Sequence, residues 1–259
     1  MQNTKKIIIG NWKMNPASAA EAKKIISGVK KAAAGLSKIE VVVCPPTLYA
    51  LEASKLLAKD KKVRLGMQDI SFAEGTGSQT GFISGLMAAN AGAFATIIGH
   101  SERRMQGETD EIVNKKVLAA EKAGLRMVLC VGEQSRSTDG QYLEVIKQQI
   151  MIALAKLQKK SFESVVIAYE PAWAIGAKEA MSPQDIHEMS LYIKKILIEI
   201  AGKEIGADVP VLYGGSVNPT NAESIIYDGE VQGLLVGRDS LVPDNFGQIM
   251  KVANQGKKK

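Results

Sequence analysis

The chain has 259 residues, 46% of them hydrophobic and 23% charged, with a formal net charge of +6, the profile of an ordinary globular protein. No apolar stretch approaches the ~20 residues that span a bilayer, and the opening Met1-Gln2-Asn3-Thr4-Lys5-Lys6 carries no signal-peptide core; a cytoplasmic chain with no membrane partner is expected. The basic balance and the Lys257-Lys258-Lys259 tail come without interleaved aromatics or a known nucleic-acid motif, so they read as solvated charge that can steer an anionic substrate.

Short β-branched runs recur from the N-terminus onward: Ile7-Ile8-Ile9, Val41-Val42-Val43, Val63-Arg64-Leu65, Thr96-Ile97-Ile98, Met127-Val128-Leu129, Val165-Val166-Ile167, Val209-Pro210-Val211-Leu212 and Leu234-Leu235-Val236. They are apolar on both faces, which suits a parallel sheet covered on both sides. Cys44 and Cys130 each close an apolar run and read as reduced, packed thiols. Helical spacing fills the intervals. Leu143, Ile146, Ile150, Leu154 and Leu157 form one stripe, and Ile186, Met189, Ile193, Ile196 and Ile200 another. Ser182-Pro183-Gln184-Asp185 begins the second helix with a cap, a proline at the first helical position and an acid near the positive end. Asn218-Pro219 is expected to start a helix in the same way. No linker divides the chain, so eight strands alternating with helices predict one α/β domain over 1–259, a closed (βα)8 barrel. An open doubly wound sheet is the other arrangement, but no Gly-x-Gly-x-x-Gly follows an early strand.

A barrel gathers all strand C-termini on one face, and several strand ends here are polar. The first run leads into Asn11-Trp12-Lys13-Met14-Asn15, the fourth into Gly99-His100-Ser101-Glu102-Arg103-Arg104, and the sixth into Glu170. Glu170, followed at once by Pro171, is the candidate general base, because a dehydrated pocket disfavours its charged form. His100 sits where a strand gives way to a polar turn; His187, the other histidine, has no such company and is assigned no role. Lys13 offers a cation for an oxyanion or a phosphate, and Asn11, two residues earlier, is expected on the same strand face. Gly214-Gly215-Ser216 and Gly233 to Gly237 resemble the two halves of a phosphate cup. No Cys, His or acidic cluster suggests a metal.

Asn11-Trp12-Lys13-Met14-Asn15, Gly99 to Arg104, Ala168-Tyr169-Glu170-Pro171-Ala172-Trp173-Ala174-Ile175-Gly176 and Tyr213-Gly214-Gly215-Ser216-Val217 together resemble the signature segments of the triosephosphate isomerases, in that family's order and spacing. The resemblance implies a single-domain TIM barrel and a cofactor-independent interconversion of dihydroxyacetone phosphate and glyceraldehyde 3-phosphate. It implies Glu170 as base, His100 as neutral electrophile and proton shuttle, and Lys13 and Asn11 as oxyanion support. Ser101 and Glu102 would support the site. Backbone N–H groups of Gly176, Ser216, Gly237 and Arg238 would hold the phosphate. Residues 171–181 would form a lid, and 68–84 a protruding homodimer loop whose Thr80 reaches the partner's Asn11. A barrel that keeps the fold but only binds a partner is the competing class; it predicts loss of Lys13, His100 or Glu170, and all three are present.

The chain departs from that pattern at three places. Ala177-Lys178-Glu179-Ala180-Met181 replaces the usual Thr-Gly-Lys continuation of the lid. Arg238 stands where a second glycine is common, leaving open whether its side chain crowds the pocket or adds charge. Phe82 replaces a glutamate, so Arg103 is expected to lose an intersubunit partner.

Overall fold

In the computed structural model, which describes residues 5–136, 139–176 and 179–256, every β-branched run becomes a parallel strand. These are β1 (Lys6–Asn11), β2 (Ile39–Cys44), β3 (Val63–Met67), β4 (Ala95–Ile98), β5 (Arg126–Val131), β6 (Val165–Tyr169), β7 (Val211–Tyr213) and β8 (Gly233–Val236). Their order around the sheet is sequential and the sheet closes, with Ile8 paired to Val41 of β2 on one side and Leu234 of β8 on the other. The fold is a TIM barrel, and the open-sheet alternative is excluded.

Alternation along the strands splits the apolar residues into two packed layers. Ile7, Ile9, Val42, Ile97, Val128, Val166, Leu212 and Leu235 fill the barrel interior. Ile8, Val41, Val43, Leu129, Ile167 and Leu234 face outward against the helices. Burying one such side chain is worth roughly 1.5–3 kcal/mol, and both faces of every strand but β3, where Arg64 is exposed, draw on it. This explains why the runs read as continuous apolar blocks. The inner layer is a solid plug, so any ligand space must lie at the barrel's rim.

The helix Pro183–Ala201 starts as its sequence predicts. Ser182 caps it by accepting the Asp185 N–H at 3.1 Å, and the Asp185 carboxylate accepts the Ser182 hydroxyl at 2.7 Å. Gly202, at φ +93°, ends it.

Three local expectations need correction. The helix Gln141–Ala153 stops before Leu154 and Leu157, which pack into the core from the turn beyond it. The run at Val209 enters β7 only at Val211, since Pro210 has no N–H for the ladder. Asn218-Pro219 does not begin a helix: the Asn218 side chain accepts from the N–H groups of Thr220 and Asn221, closing a turn, and the helix spans Ala222–Tyr227. Among the described residues no helix is long and apolar enough to cross a membrane.

Candidate active site

At the C-terminal rim lies a cavity of about 470 Å³, lined by Asn11, Lys13, His100, Glu170, Gly176, Ser216, Gly237 and Arg238 among others. The barrel thus brings together residues from the first, fourth, sixth, seventh and eighth strand ends. Ser101 and Glu102 are not part of this lining.

Glu170 follows directly on β6, and its backbone N–H donates to the Val131 carbonyl at 2.8 Å. Its side chain is 4% exposed, and Oε2 has no hydrogen-bond partner. Two glycines hold the residue in place. A side chain at Gly132 would run into the Glu170 main chain, and a Cβ at Gly214 would stand 2.7 Å from Oε1 and 2.9 Å from Cδ. Gly214 therefore serves the carboxylate, not only the phosphate cup. The buried Cys130 thiol lies against the same carboxylate; burial first, and then the Glu170 charge, push its pKa far up, so it stays a protonated neighbour.

His100 caps the short helix Ser101–Arg104. Its Nδ1 accepts the Glu102 N–H at 3.1 Å. An Nδ1 that accepts carries no proton, so the imidazole is the neutral tautomer with its hydrogen on Nε2. That Nε2 lies 3.6 Å from Glu170 Oε2, too far for a hydrogen bond. A donor edge and an acceptor edge therefore stand side by side, each available to a third molecule. The Ser101 hydroxyl beside them is buried and equally unpartnered.

Lys13 reaches the site by a different route from the one its spacing suggests. It lies past β1 at φ +52°, in the left-handed region that a lysine seldom occupies, so strand alternation does not align it with Asn11. Asn11 instead fixes the turn, its Oδ1 accepting the Lys13 N–H at 3.1 Å, while Gln68 Nε2 donates to the Lys13 carbonyl at 2.8 Å. The ammonium meets Glu102 at 2.6 Å. Local strain of this kind persists where surrounding contacts fix it, and it concentrates at functional positions.

The expected phosphate cup is half corrected. Ser216, Gly237 and Arg238 do line the cavity. Gly233 does not: it opens β8 at the far end of the strand, where a side chain would collide with the Ile7 carbonyl as β1 and β8 close the barrel. Arg238 is exposed and has no ion pair among the described residues.

Beyond Glu170 the chain turns through Ala172–Ala174. Trp173 Nε1 donates to the buried carboxylate of Glu133 at 3.0 Å, and Ser216 Oγ donates to the Ala174 carbonyl at 2.9 Å. Gly176 takes φ +73°. Ala177 and Lys178, which carry much of the expected change in the lid, lie outside the described residues. Gly132 and Glu133 escaped the sequence reading, and Cys130 was read as a packed thiol without its place beside Glu170, because the end of β5 carries no histidine or lysine to draw notice. Gln68, at the end of β3, escaped for the same reason.

The segment 68–84 exposes Thr80 and pairs Phe72 edge-on with the half-exposed Phe82, ring centroids 6.3 Å apart. Arg103 is not left alone. It meets Asp69 at 3.2 Å and Glu108 at 3.6 Å within its own chain, and the buried Lys116 joins the same two acids. His187 faces Glu230 at 3.6 Å, away from the cavity. Among the described residues no three His, Cys, Asp or Glu side chains are grouped to hold a metal.

A family model described as Triosephosphate isomerase matches residues 6–253. The chain belongs to the triosephosphate isomerase family. It is 40% identical over 249 residues to the triosephosphate isomerase of Dictyoglomus thermophilum, covering 95% of this chain and 99% of that one. With the triosephosphate isomerase of Natranaerobius thermophilus it shares 38% identity, over 96% of each chain. The crystal structure of triosephosphate isomerase from Bartonella henselae superposes with a TM-score of 0.83 at 34% identity, covering 96% of this chain and 98% of that one.

Proposed function

We propose that this chain interconverts dihydroxyacetone phosphate and D-glyceraldehyde 3-phosphate through an enediolate, without a cofactor, as a cytoplasmic enzyme of glycolysis and gluconeogenesis. The observation that carries the reading is the pair formed by the free Oε2 of Glu170 and the Nε2 edge of a neutral His100, 3.6 Å apart at the cavity floor.

Glu170 is the general base. Its unpartnered oxygen takes a proton from the carbon beside the substrate carbonyl, which leaves that carbon's electron pair as the new C=C bond and puts negative charge on the carbonyl oxygen. His100, a donor through Nε2, polarises that oxygen and passes a proton between the two oxygens of the enediolate. Lys13 supplies positive charge at the same place, with Asn11 beside it, and Glu102 holds the ammonium in position. Glu170 then returns its proton to the neighbouring carbon. Ser101, next to His100, supports the site. Backbone N–H groups of Gly176, Ser216, Gly237 and Arg238 hold the phosphate, and residues 171–181 close over it so that water does not reach the intermediate.

We further infer that two copies associate through segment 68–84, with Thr80 reaching the partner's Asn11. The exposed Phe72–Phe82 pair supports apolar contact there, and with Arg103 ion-paired to Asp69 within its own chain the dimer does not need a charge pair at position 82. The reading as a binding protein without catalysis is not favoured, because Lys13, His100 and Glu170 all line one cavity. Coupled turnover of glyceraldehyde 3-phosphate tests the activity, with His100→Gln expected to lose at least about 10²-fold in kcat; equal rates in the two proteins would refute the assignment. Sedimentation at micromolar protein tests the dimer, and a monomeric mass would refute it.

A further inference from the structure

The guanidinium of Arg136 stands where four separate parts of the chain meet. Nη1 donates to the Tyr169 hydroxyl and to the Met181 sulfur, both at 3.4 Å, and lies 3.8 Å from Glu133 Oε1. Nη2 donates to the Tyr142 hydroxyl at 3.3 Å, and the guanidinium stacks 4.5 Å from the centroid of that ring. Tyr169 is the last residue of β6 and precedes Glu170. Met181 is the last residue before the cap of helix Pro183–Ala201, and it is 5% exposed. Its own N–H donates to the Tyr213 hydroxyl at 3.1 Å.

The bonding pattern fixes each group's state. The Tyr169 hydroxyl donates to Glu133, at 3.0 and 3.1 Å from its two oxygens, and accepts from Arg136. Burial, then the Glu133 charge, push the Tyr169 pKa far up, so it remains a phenol. A thioether offers only a weak, polarisable acceptor, but here it is the contact that joins the guanidinium to the returning end of segment 171–181. The other end of that segment is already tied to the same carboxylate through Trp173.

We propose that Arg136 and Met181 are positioning residues for this site: the guanidinium grips the Met181 thioether and so fixes the return of segment 171–181 against the strand that carries Glu170. The inference rests on the isomerase reading and deepens it. Neither residue touches substrate. Together they set how firmly Met181 is held against β6 and β7 at the rim, and with it how long the enediolate is kept from escape. An enediolate that is not retained loses phosphate. The C1 hydroxyl gives up its proton and becomes a carbonyl, the C1=C2 pair moves to C2–C3, and phosphate leaves C3 with its bonding pair. No oxidant or reductant takes part.

The test compares wild type with Met181→Leu, Arg136→Gln and the double variant, using full-length enzyme. Leucine keeps the volume and removes only the sulfur acceptor, so it guards against a folding artefact. Isomerisation kcat and KM are measured alongside inorganic phosphate released per turnover and the melting temperature. Each single variant should lower kcat and raise phosphate release by about two- to tenfold, the size of one hydrogen bond to a weak thioether acceptor, with KM and melting temperature little changed. The double variant should be no worse than the worse single, because the two residues act as one contact. Wild-type partition in both single variants, or effects that multiply in the double, would overturn the clamp. A wild type without isomerase turnover would overturn the functional reading and the clamp with it, an outcome distinct from an active wild type with unchanged variants.

Discussion

Replacing Gly214 by alanine tests how tightly the carboxylate is held. The backbone there lies outside the left-handed region, and its N–H donates to the Tyr169 carbonyl at 2.9 Å, so alanine adds no backbone strain and the Cα stays where it is. The new methyl group would stand 2.9 Å from Glu170 Cδ and closer still to Cγ. Carbon atoms pack at about 3.5–4.0 Å, so the carboxylate must retreat by about 1 Å. Gly132 blocks movement of the Glu170 main chain, and the displacement therefore falls on the side chain. A misplacement of that size at a reacting group costs about 10²-fold. The atoms nearest the added methyl group all belong to Glu170 and none to the proposed phosphate contacts at Gly176, Ser216 and Gly237, so the loss should appear in kcat while KM changes little. Overpacking typically costs about 1–3 kcal/mol, and here it presses on a side-chain end, so melting should fall by a few degrees only. Steady-state kinetics with a melting curve decide the matter. A folded Gly214→Ala enzyme with kcat within about threefold of wild type would refute the placement of Glu170, since the misplacement estimate is about 10²-fold.

Three further outcomes are expected. Lys116 is 2% exposed between Asp69 and Glu108, so Lys116→Met should destabilise the fold by up to about 3–5 kcal/mol, since it leaves the two carboxylates with the half-exposed Arg103 as their remaining cation; a loss under about 1 kcal/mol in urea unfolding would contradict the buried cluster. Burial raises the pKa values of Cys44, Cys130 and Tyr169, and takes Tyr213 up to about 12. Their contribution is whole below the unfolded values and is lost as pH climbs through the folded ones. Lys194, lowered to about 8 by burial, works the other way between its folded and unfolded values, so the net decline should steepen above about pH 10, where the tyrosines of the unfolded chain ionise. Urea midpoints against pH should show that limb, and Tyr213→Phe should flatten it; identical limbs would contradict the assignment. Arg238 is an exposed charge at the cavity rim, so Arg238→Gly should flatten the salt dependence of kcat/KM with kcat nearly unchanged; parallel salt slopes would show that its side chain takes no part.

The barrel was legible because its signal is local. Seven of the eight strands are apolar and buried on both faces, β3 with its exposed Arg64 being the exception, so nearly every run carries its own apolar block, and sequential order then leaves few topologies open. Lys13, His100 and Glu170 were legible because they are polar residues at the ends of such blocks. What escaped depends on contacts distant in sequence. Nothing next to Lys13 announces a left-handed turn held by Gln68, 55 residues away. Arg103 looked deprived of a partner until the fold brought Asp69 and Glu108 beside it. Gly214 and Gly233 look alike in sequence, yet one packs on a carboxylate at the rim and the other on the Ile7 backbone at the opposite end. The partners of Met181 are Arg136 in the loop beyond β5, Tyr169 of β6 and Tyr213 of β7, so helical periodicity around it could not reveal them.

Solvent deuterium incorporation tests the central claim most directly. If Glu170 carries the proton between carbons, isomerisation in deuterium oxide should place deuterium on the carbon beside the product carbonyl. Glu170→Gln should then lose isomerisation and exchange together, by about 10²–10⁴-fold. Exchange that persists in Glu170→Gln, or wild-type turnover with no deuterium in the product, would contradict it.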